Sequence, residues 1–517
     1  MKRNIRTVRD ARVNIKPVVI SLVHEYFFEG PCRFGTTEEA LSTEFDEMVA
    51  ASSEKKLPQS LQDNIPAELA NIMEPICIRR HEDFIILEEW INQMRACASD
   101  VDLFWVSGGG VESLLDFYVS SGIKTPVACM KPCCANFGTT AIFRARGVEA
   151  YGFATWDEAL STIRALRARK VLRESKILLA PRGDSTRSVT VTEGFLSMED
   201  VTRKFGTRFR YMDAHEVLDA TEIIPDDQNH TAPGKHMFNL TEEEIADARN
   251  LAEELANGAK ECTMSLEMIE RSCQAYATVQ KLLETFDCTA FTMPCADVCA
   301  TRRYNEEKFT MCLNHSLNNE QGICSACEYD VPALVSMIML SSLSDSAPYM
   351  GNTSYAPPII KDGTEVTRFV DAETALGMKE EINAGKVFYT FHSVPNRKLK
   401  GFDAEPTEYG ITPFAAVQGF GATIRHDFAR DKGQVITMAR LDPTCSKIVI
   451  ARGTIIGGMG YHATNCSEGV FFTVNDPESF REGCEWTGIH CPLVYGDVFD
   501  EMVKLAKMLG LETYLSA

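Results

Sequence analysis

A few acidic, imidazole and guanidinium side chains in this chain could hold a hard cation, move protons or bind an anion. The run Asn318-Asn-Glu-Gln-Gly-Ile-Cys-Ser-Ala-Cys-Glu-Tyr-Asp-Val-Pro-Ala-Leu reads as a short apolar strand ending in Glu328 and Asp330, just before a proline-started helix. In an open parallel α/β sheet, the carboxyl ends of strands border the ligand crevice. Glu328 has an apolar strand behind it and no capping duty, which makes it a candidate ligand or base. Asp330 is placed either to join it or to cap the following helix. His490, in Thr487-Gly-Ile-His-Cys-Pro, and His392, in Tyr389-Thr-Phe-His-Ser-Val-Pro, stand at the ends of apolar runs. A histidine there is either a ligand or a hydrogen-bonded core residue. Arg302 and Arg303 follow Pro294-Cys-Ala-Asp-Val-Cys-Ala-Thr at the end of another strand. They suit a carboxylate, phosphate or sulfonate, because a guanidinium binds two oxygens at once, or else they are solvated surface. Spacing alone does not join these residues into one site.

The chain has 18 cysteines. A secreted disulfide scaffold would be short and poor in core, and this chain is long, so free thiols in a reducing compartment are expected. Cys295 with Cys299, and Cys324 with Cys327, have the look of zinc half-sites or redox pairs. Their unequal spacing and small, strand-like neighbours favour packing, as they do for Cys133 and Cys134.

Elements must position these side chains. Up to about residue 175, short apolar runs alternate with amphipathic stretches, the mark of βα units and a parallel sheet. A strand begins near Val18. Another, from Val101, leads into Gly108-Gly-Gly, a helix over 111–121 and a third strand from Pro126. That glycine turn lacks the G-x-G-x-x-G spacing and any P-loop lysine, so it reads as a tight turn rather than a phosphate cradle. A long helix over 156–172 precedes a second alternating unit that starts at Lys176. It includes helices over 241–257 and 265–285, strands at 289–294 and 324–328, and a helix over 331–344. After about residue 360 the texture changes to closely spaced strands at 387–392, 414–425, 434–440, 447–453 and 469–474, which predicts an antiparallel sheet or barrel. A helix over 498–509 follows.

At 517 residues with 45% hydrophobic and 24% charged side chains, the chain has ample core for about three domains. The 52 basic and 73 acidic residues leave a net charge of −21, which argues against nucleic acid or anionic lipid as partners. No apolar run approaches the roughly 18 residues a membrane helix needs, and the basic start leads into a strand rather than a signal peptide's apolar core. A soluble, cytoplasmic protein is expected.

Beyond composition, the run 322–337, Ala347-Pro-Tyr-Met-Gly-Asn-Thr-Ser, Phe391-His-Ser-Val-Pro, Thr437-Met-Ala-Arg-Leu and Gly488-Ile-His-Cys-Pro-Leu-Val-Tyr-Gly-Asp resemble the family of L-fucose and L-arabinose isomerases and their relatives. The likeness is good over about 240–517 and rests only on alternating pattern before that. It implies an α/β protein with two Rossmann-like, doubly wound domains, 1–175 and 176–360, and a carboxyl-terminal antiparallel β-rich, barrel-like domain, 361–517. It also implies a homotrimer or homohexamer acting on a small sugar or sugar derivative. The family binds a divalent metal, usually manganese (Mn2+), through a glutamate, a second acid and a carboxyl-terminal histidine. Carried over, the glutamate is Glu328 and the histidine is His490, while the second acid's position holds Asn352. His392 and Arg440 would donate hydrogen bonds to sugar hydroxyls.

Aldose–ketose interconversion moves a proton between C1 and C2 through an enediol, which requires a base and benefits from a second proton-handling group. The amide of Asn352 can coordinate but cannot accept a proton. Glu328 is then the expected base, with Asp330, a metal-bound water or another pocket residue in the second role. Two alternatives stand beside the isomerase reading: another metal-assisted reaction on a sugar or keto-sugar, such as carbon–carbon cleavage or epimerisation, and a catalytically silent sugar-binding protein.

Overall fold

Apolar runs separated by helix-period stretches form parallel strands in residues 11–170 of the computed structural model. The structure describes residues 3–24, 38–80, 88–108, 122–130, 135–221, 238–356 and 372–517. The glycines at 109 and 110, the expected helix over 111–121, and Cys133 and Cys134 lie outside these residues. The chain divides into two compact units, one of residues 11–170 and one of residues 1–10 with 171–517. The residues expected as a second and a third domain therefore share one unit. The protein is mixed α/β, with parallel sheets and an antiparallel sheet.

In the smaller unit the strands are β1 (Val13–Leu22), β2 (Ala70–Ile72), β3 (Ile76–Arg80), β4 (Leu103–Gly108), β5 (Val127–Cys129) and β6 (Ala150–Gly152). Their order is β2-β1-β4-β5-β6, with β3 also on β1, and every pairing is parallel. Helices Thr43–Asn64, Glu88–Cys97 and Ala135–Ala145 belong to the same unit. Val18, Ile20, Phe104, Val106 and Phe143 form its core. Strand β1 starts earlier than its apolar run suggests, because Val13 to Ile15 pair with β2.

The larger unit holds β7 (Lys176–Leu179), β8 (Arg208–Tyr211), β9 (Glu261–Cys262), β10 (Ala290–Thr292), β11 (Cys324–Ala326), β12 (Asn352–Tyr355), β13 (Val387–Phe391), β14 (Gly410–Ala415), β15 (Phe420–Arg425), β16 (Val435–Leu441), β17 (Lys447–Gly458), β18 (Gly469–Val474), β19 (Leu493–Tyr495) and β20 (Glu512–Ser516). A parallel sheet runs β11-β10-β7-β8. A second sheet runs β12-β13-β18-β17-β16-β19, antiparallel throughout, with β20 parallel on β17. Its two edges meet. Tyr349 pairs with Leu493 and Asn352 with His490 in antiparallel bridges, so the sheet closes on itself.

The single strand expected over 414–425 is instead a hairpin, β14 with β15, extended by β9. The chain reverses after Ala415, whose carbonyl accepts from the Gly419 amide, and Gly419 adopts the left-handed φ of 73° that favours glycine. Helix Val331–Ser344 is buried along almost its whole length between β11 on one side and β16 and β19 on the other. That burial on all faces is why its sequence is apolar without a polar stripe. It couples the parallel sheet to the closed one. No helix among the described residues is long and apolar enough to cross a membrane.

Candidate metal centre

The carboxyl end of β11 delivers Glu328. Two consecutive left-handed residues, Glu328 (φ 58°) and Tyr329 (φ 61°), turn the chain from strand to helix within a few positions. Neither is glycine, so the turn costs on the order of 1–2 kcal/mol per residue, which its contacts must offset. Those contacts come from the loop after β7: Ser188 Oγ donates to the Glu328 carbonyl at 2.7 Å, and Tyr329 OH donates to the Ser185 carbonyl at 3.0 Å.

The Glu328 carboxylate meets two histidines. Its Oε1 lies 3.3 Å from His392 Nε2 and its Oε2 lies 3.8 Å from His490 Nε2. The three ligand atoms of Glu328, His392 and His490 all lie within 4.8 Å of one another, a group that could hold a metal ion. Burial pulls the Glu328 carboxyl upward. The hydrogen bond with His392, the electrostatic attraction of His392 and His490 and the Thr190 hydroxyl outweigh it and hold the pKa down to about 2.

Hydrogen bonding sets the two imidazoles apart. His490 Nδ1 lies 2.8 Å from Asp330 Oδ2, so it carries the ring proton and leaves the Nε2 lone pair directed toward Glu328. That Nε2 is buried and has no hydrogen-bond partner among the described residues. An orphaned acceptor beside a carboxylate fits a cation, and a carboxylate on the far nitrogen is the usual support of a metal-binding histidine. His392 is arranged the other way. Its Nδ1 accepts from the Ser393 amide at 3.1 Å, so its proton sits on Nε2 and is donated to Glu328. His392 is fixed by its own amide, which reaches the Glu468 carbonyl at 2.9 Å and Tyr349 OH at 2.8 Å. To ligate through Nε2, His392 would have to give up the bond from Ser393. In this arrangement it donates to Glu328.

Asp330 has several duties at once. Its Oδ1 accepts from the Ala333 amide at 2.8 Å, capping helix Val331–Ser344. Its Oδ2 holds His490 and accepts from Arg440 Nη1 at 2.7 Å. Burial raises its pKa, but Arg440 and His490 carry it below the usual carboxylate range. Arg440 is fully buried behind His490, with Nε on the Thr487 carbonyl at 2.6 Å and Nη1 also on the His490 carbonyl at 2.6 Å. These donors are spent within the protein.

Asn352 starts β12 and pairs across the backbone with Phe391 on one side and His490 on the other. Directly opposed antiparallel residues share a face, so its half-buried side chain stands beside His490. Arg302 is exposed, while Arg303 is spent on Asp219 at 2.9 Å and Glu307 at 3.4 Å. Cys324, the first residue of β11, and Cys327, the residue after its last, are free, buried thiols. Neither they nor Cys295 and Cys299 belong to the metal-competent group.

The sequence reading missed Ser188, Thr190 and Ser393. The first two lie in Pro181-Arg-Gly-Asp-Ser-Thr-Arg-Ser-Val-Thr, a hydroxyl-rich loop at the carboxyl end of a parallel strand, and that position was the available signal. It also missed His315, buried beneath β11 with Nδ1 2.7 Å from Ser325 Oγ. Burial and the neighbouring His392 push its pKa down to about 3, so it is neutral. No protein-family model and no curated protein matches this chain.

Proposed function

We propose that this protein is a metal-dependent ketol-isomerase that interconverts an open-chain aldose and ketose through an enediol. The observation that carries the reading is the approach of an ionised Glu328 to the buried Nε2 of His490, which has no hydrogen-bond partner among the described residues. A divalent cation, manganese by resemblance, held by Glu328, His490 and the Asn352 amide oxygen would polarise the carbonyl and hydroxyl oxygens of the sugar. Glu328 remains ionised at neutral pH, the form that accepts a proton, and is the base for transfer between C1 and C2. His392, whose Nδ1 accepts from the Ser393 amide and whose Nε2 therefore carries a proton, donates to the substrate oxygen that gains negative charge. Asp330, committed to His490 and Arg440, holds the ligand in place and leaves the proton traffic to Glu328.

Incubation with manganese and a panel of aldoses and ketoses in heavy water tests this: the C2 proton should exchange with solvent for at least one sugar. No exchange with any sugar overturns it. Asn352 favours a second reading, since an amide beside His490 supplies no acid or base. In that case the site runs another metal-assisted reaction on a sugar, such as epimerisation or carbon–carbon cleavage. Asn352→Asp separates the two, because a gain of isomerase activity in that variant supports the second.

A further inference from the structure

The loop after β7 touches both halves of the centre, although β10 lies between β7 and β11 in the sheet. It crosses the end of β10 by way of Arg182, on the Asp297 carbonyl, and the Val189 amide, which donates to Asp297 Oδ2 at 3.3 Å. Ser188 and Thr190 then hold Glu328 by its carbonyl and its carboxylate. Three residues further on, Glu193 Oε1 accepts from the Ile489 amide at 2.9 Å and lies 3.6 Å from Arg440 Nη2, the one nitrogen of that guanidinium without a hydrogen bond among the described residues. His490 is thereby clamped at three points: its ring by Asp330, its carbonyl by Arg440 and the preceding amide by Glu193. Only the last of these comes from the segment that also holds Glu328.

We infer that Glu193 is a positioning residue for His490, and that the segment 182–197 sets the separation of Glu328 and His490 and so the affinity of the centre for its metal. The fit around the clamp is close. A Cβ on Gly488 would come within 2.2 Å of Glu193 Cγ, and a Cβ on Gly194 would come within 2.6 Å of the Thr186 carbonyl oxygen. The glycines thus let the segment fold back on itself and let Glu193 reach the amide of the His490 loop. Electrostatics points the same way: Glu193 offsets charge on Arg440, which leaves Asp330 freer to polarise the imidazole.

This inference rests on the metal reading of the site, and titrations with manganese(II) and cobalt(II) keep the two apart. Full-length protein and the variants Glu193→Ala, Glu193→Gln and Gly194→Ala are titrated calorimetrically, with the cobalt d–d spectrum as a report on ligand geometry and far-ultraviolet circular dichroism as a check on folding. Glu193→Ala and Gly194→Ala should each weaken binding by about 10- to 100-fold, the usual loss when a partner behind a ligand is removed, and should shift the cobalt spectrum. Glu193→Gln, which keeps an acceptor for Ile489 but not the charge facing Arg440, should bind more weakly than wild type yet keep the wild-type spectrum. Should Glu193→Ala not fold, the near-isosteric glutamine variant and Gly194→Ala carry the test. Wild-type protein that binds metal, with Glu193→Gln and Gly194→Ala within twofold of it and spectrally unchanged, overturns the inference and leaves the metal reading intact. Wild-type protein that binds neither ion overturns both.

Discussion

At the scale of single residues, the centre is decided by which nitrogen of each imidazole carries the proton. Asp330 fixes His490 with Nε2 free, whereas the Ser393 amide fixes His392 with Nε2 protonated. The two histidines are therefore expected to fail differently. If the centre holds manganese and runs the proposed isomerisation, His392→Gln should keep near-wild-type metal content by elemental analysis while lowering turnover by roughly 10²-fold or more, since a positioned donor is lost and the proposed ligands remain. Asp330→Asn removes charge from the middle of a buried chain and leaves Arg440 only Glu193, at 3.6 Å, among the described carboxylates. It should cost about 3 kcal/mol in urea denaturation and release the metal. Equal metal loss in both variants would contradict this division of labour.

Among the elements, the seam that closes the antiparallel sheet positions Asn352 against His490, and it depends on Gly351. A Cβ there would come within 2.8 Å of the Phe391 backbone and 2.7 Å of Thr390 Oγ1. Gly351→Ala is therefore expected to destabilise the protein by about 1–3 kcal/mol and to weaken metal binding, read by thermal melting and calorimetry. A second element prediction concerns pH. Helix Glu242–Gly258 opens with a capping box in which Thr241 and Glu244 bond each other's backbone amides, and Glu244 also pairs with Lys281 and Arg3. Burial raises the Glu244 pKa, but the Thr241 amide and the two cations bring it down to about 2. A carboxylate depressed in the folded state adds stability that is present above its ordinary pKa of about 4.5 and is lost as pH falls toward 2. Glu244→Gln should lower stability by roughly 1 kcal/mol at pH 7, and the difference from wild type should vanish at about pH 2, measured by denaturant titration at each pH.

For the molecule as a whole, charge and division into units are the governing facts. A net charge of −21 produces a field that opposes polyanions. The protein should be retained by an anion exchanger and should pass through heparin at about 0.1 M salt, where the Debye length is still near 10 Å. Retention on heparin would reveal a local basic surface that the net charge conceals. The units themselves, 11–170 and 1–10 with 171–517, show that chain order and compactness differ: the first residues belong to the larger unit, where the Val8 amide donates to the Gly322 carbonyl at 3.0 Å.

Much of this was legible in the amino-acid order, because local signals suffice wherever burial follows a local pattern. The alternation of apolar runs and helix-period stretches announced the parallel sheets. The apolar stretch opened by Asp330 and Pro332 announced helix Val331–Ser344 with its cap. The strand before Glu328 pointed to that residue as the carboxylate at a crevice, and His392 and His490 were candidates from their places at the ends of apolar runs. What the order of residues could not settle was anything that depends on groups meeting across the fold. The hairpin at 410–425 replaced one expected strand, since a turn centred on Gly419 interrupts a run that looks continuous by hydropathy. The proton on each imidazole, the inward use of Arg440 and the reach of Glu193 to Ile489 depend on partners as much as 296 residues away. Hydrogen bonds act over about 3 Å in space irrespective of sequence distance, so the sequence determined which side chains were chemically able, and tertiary structure alone decided which of them bind, which donate and which only hold the others in place.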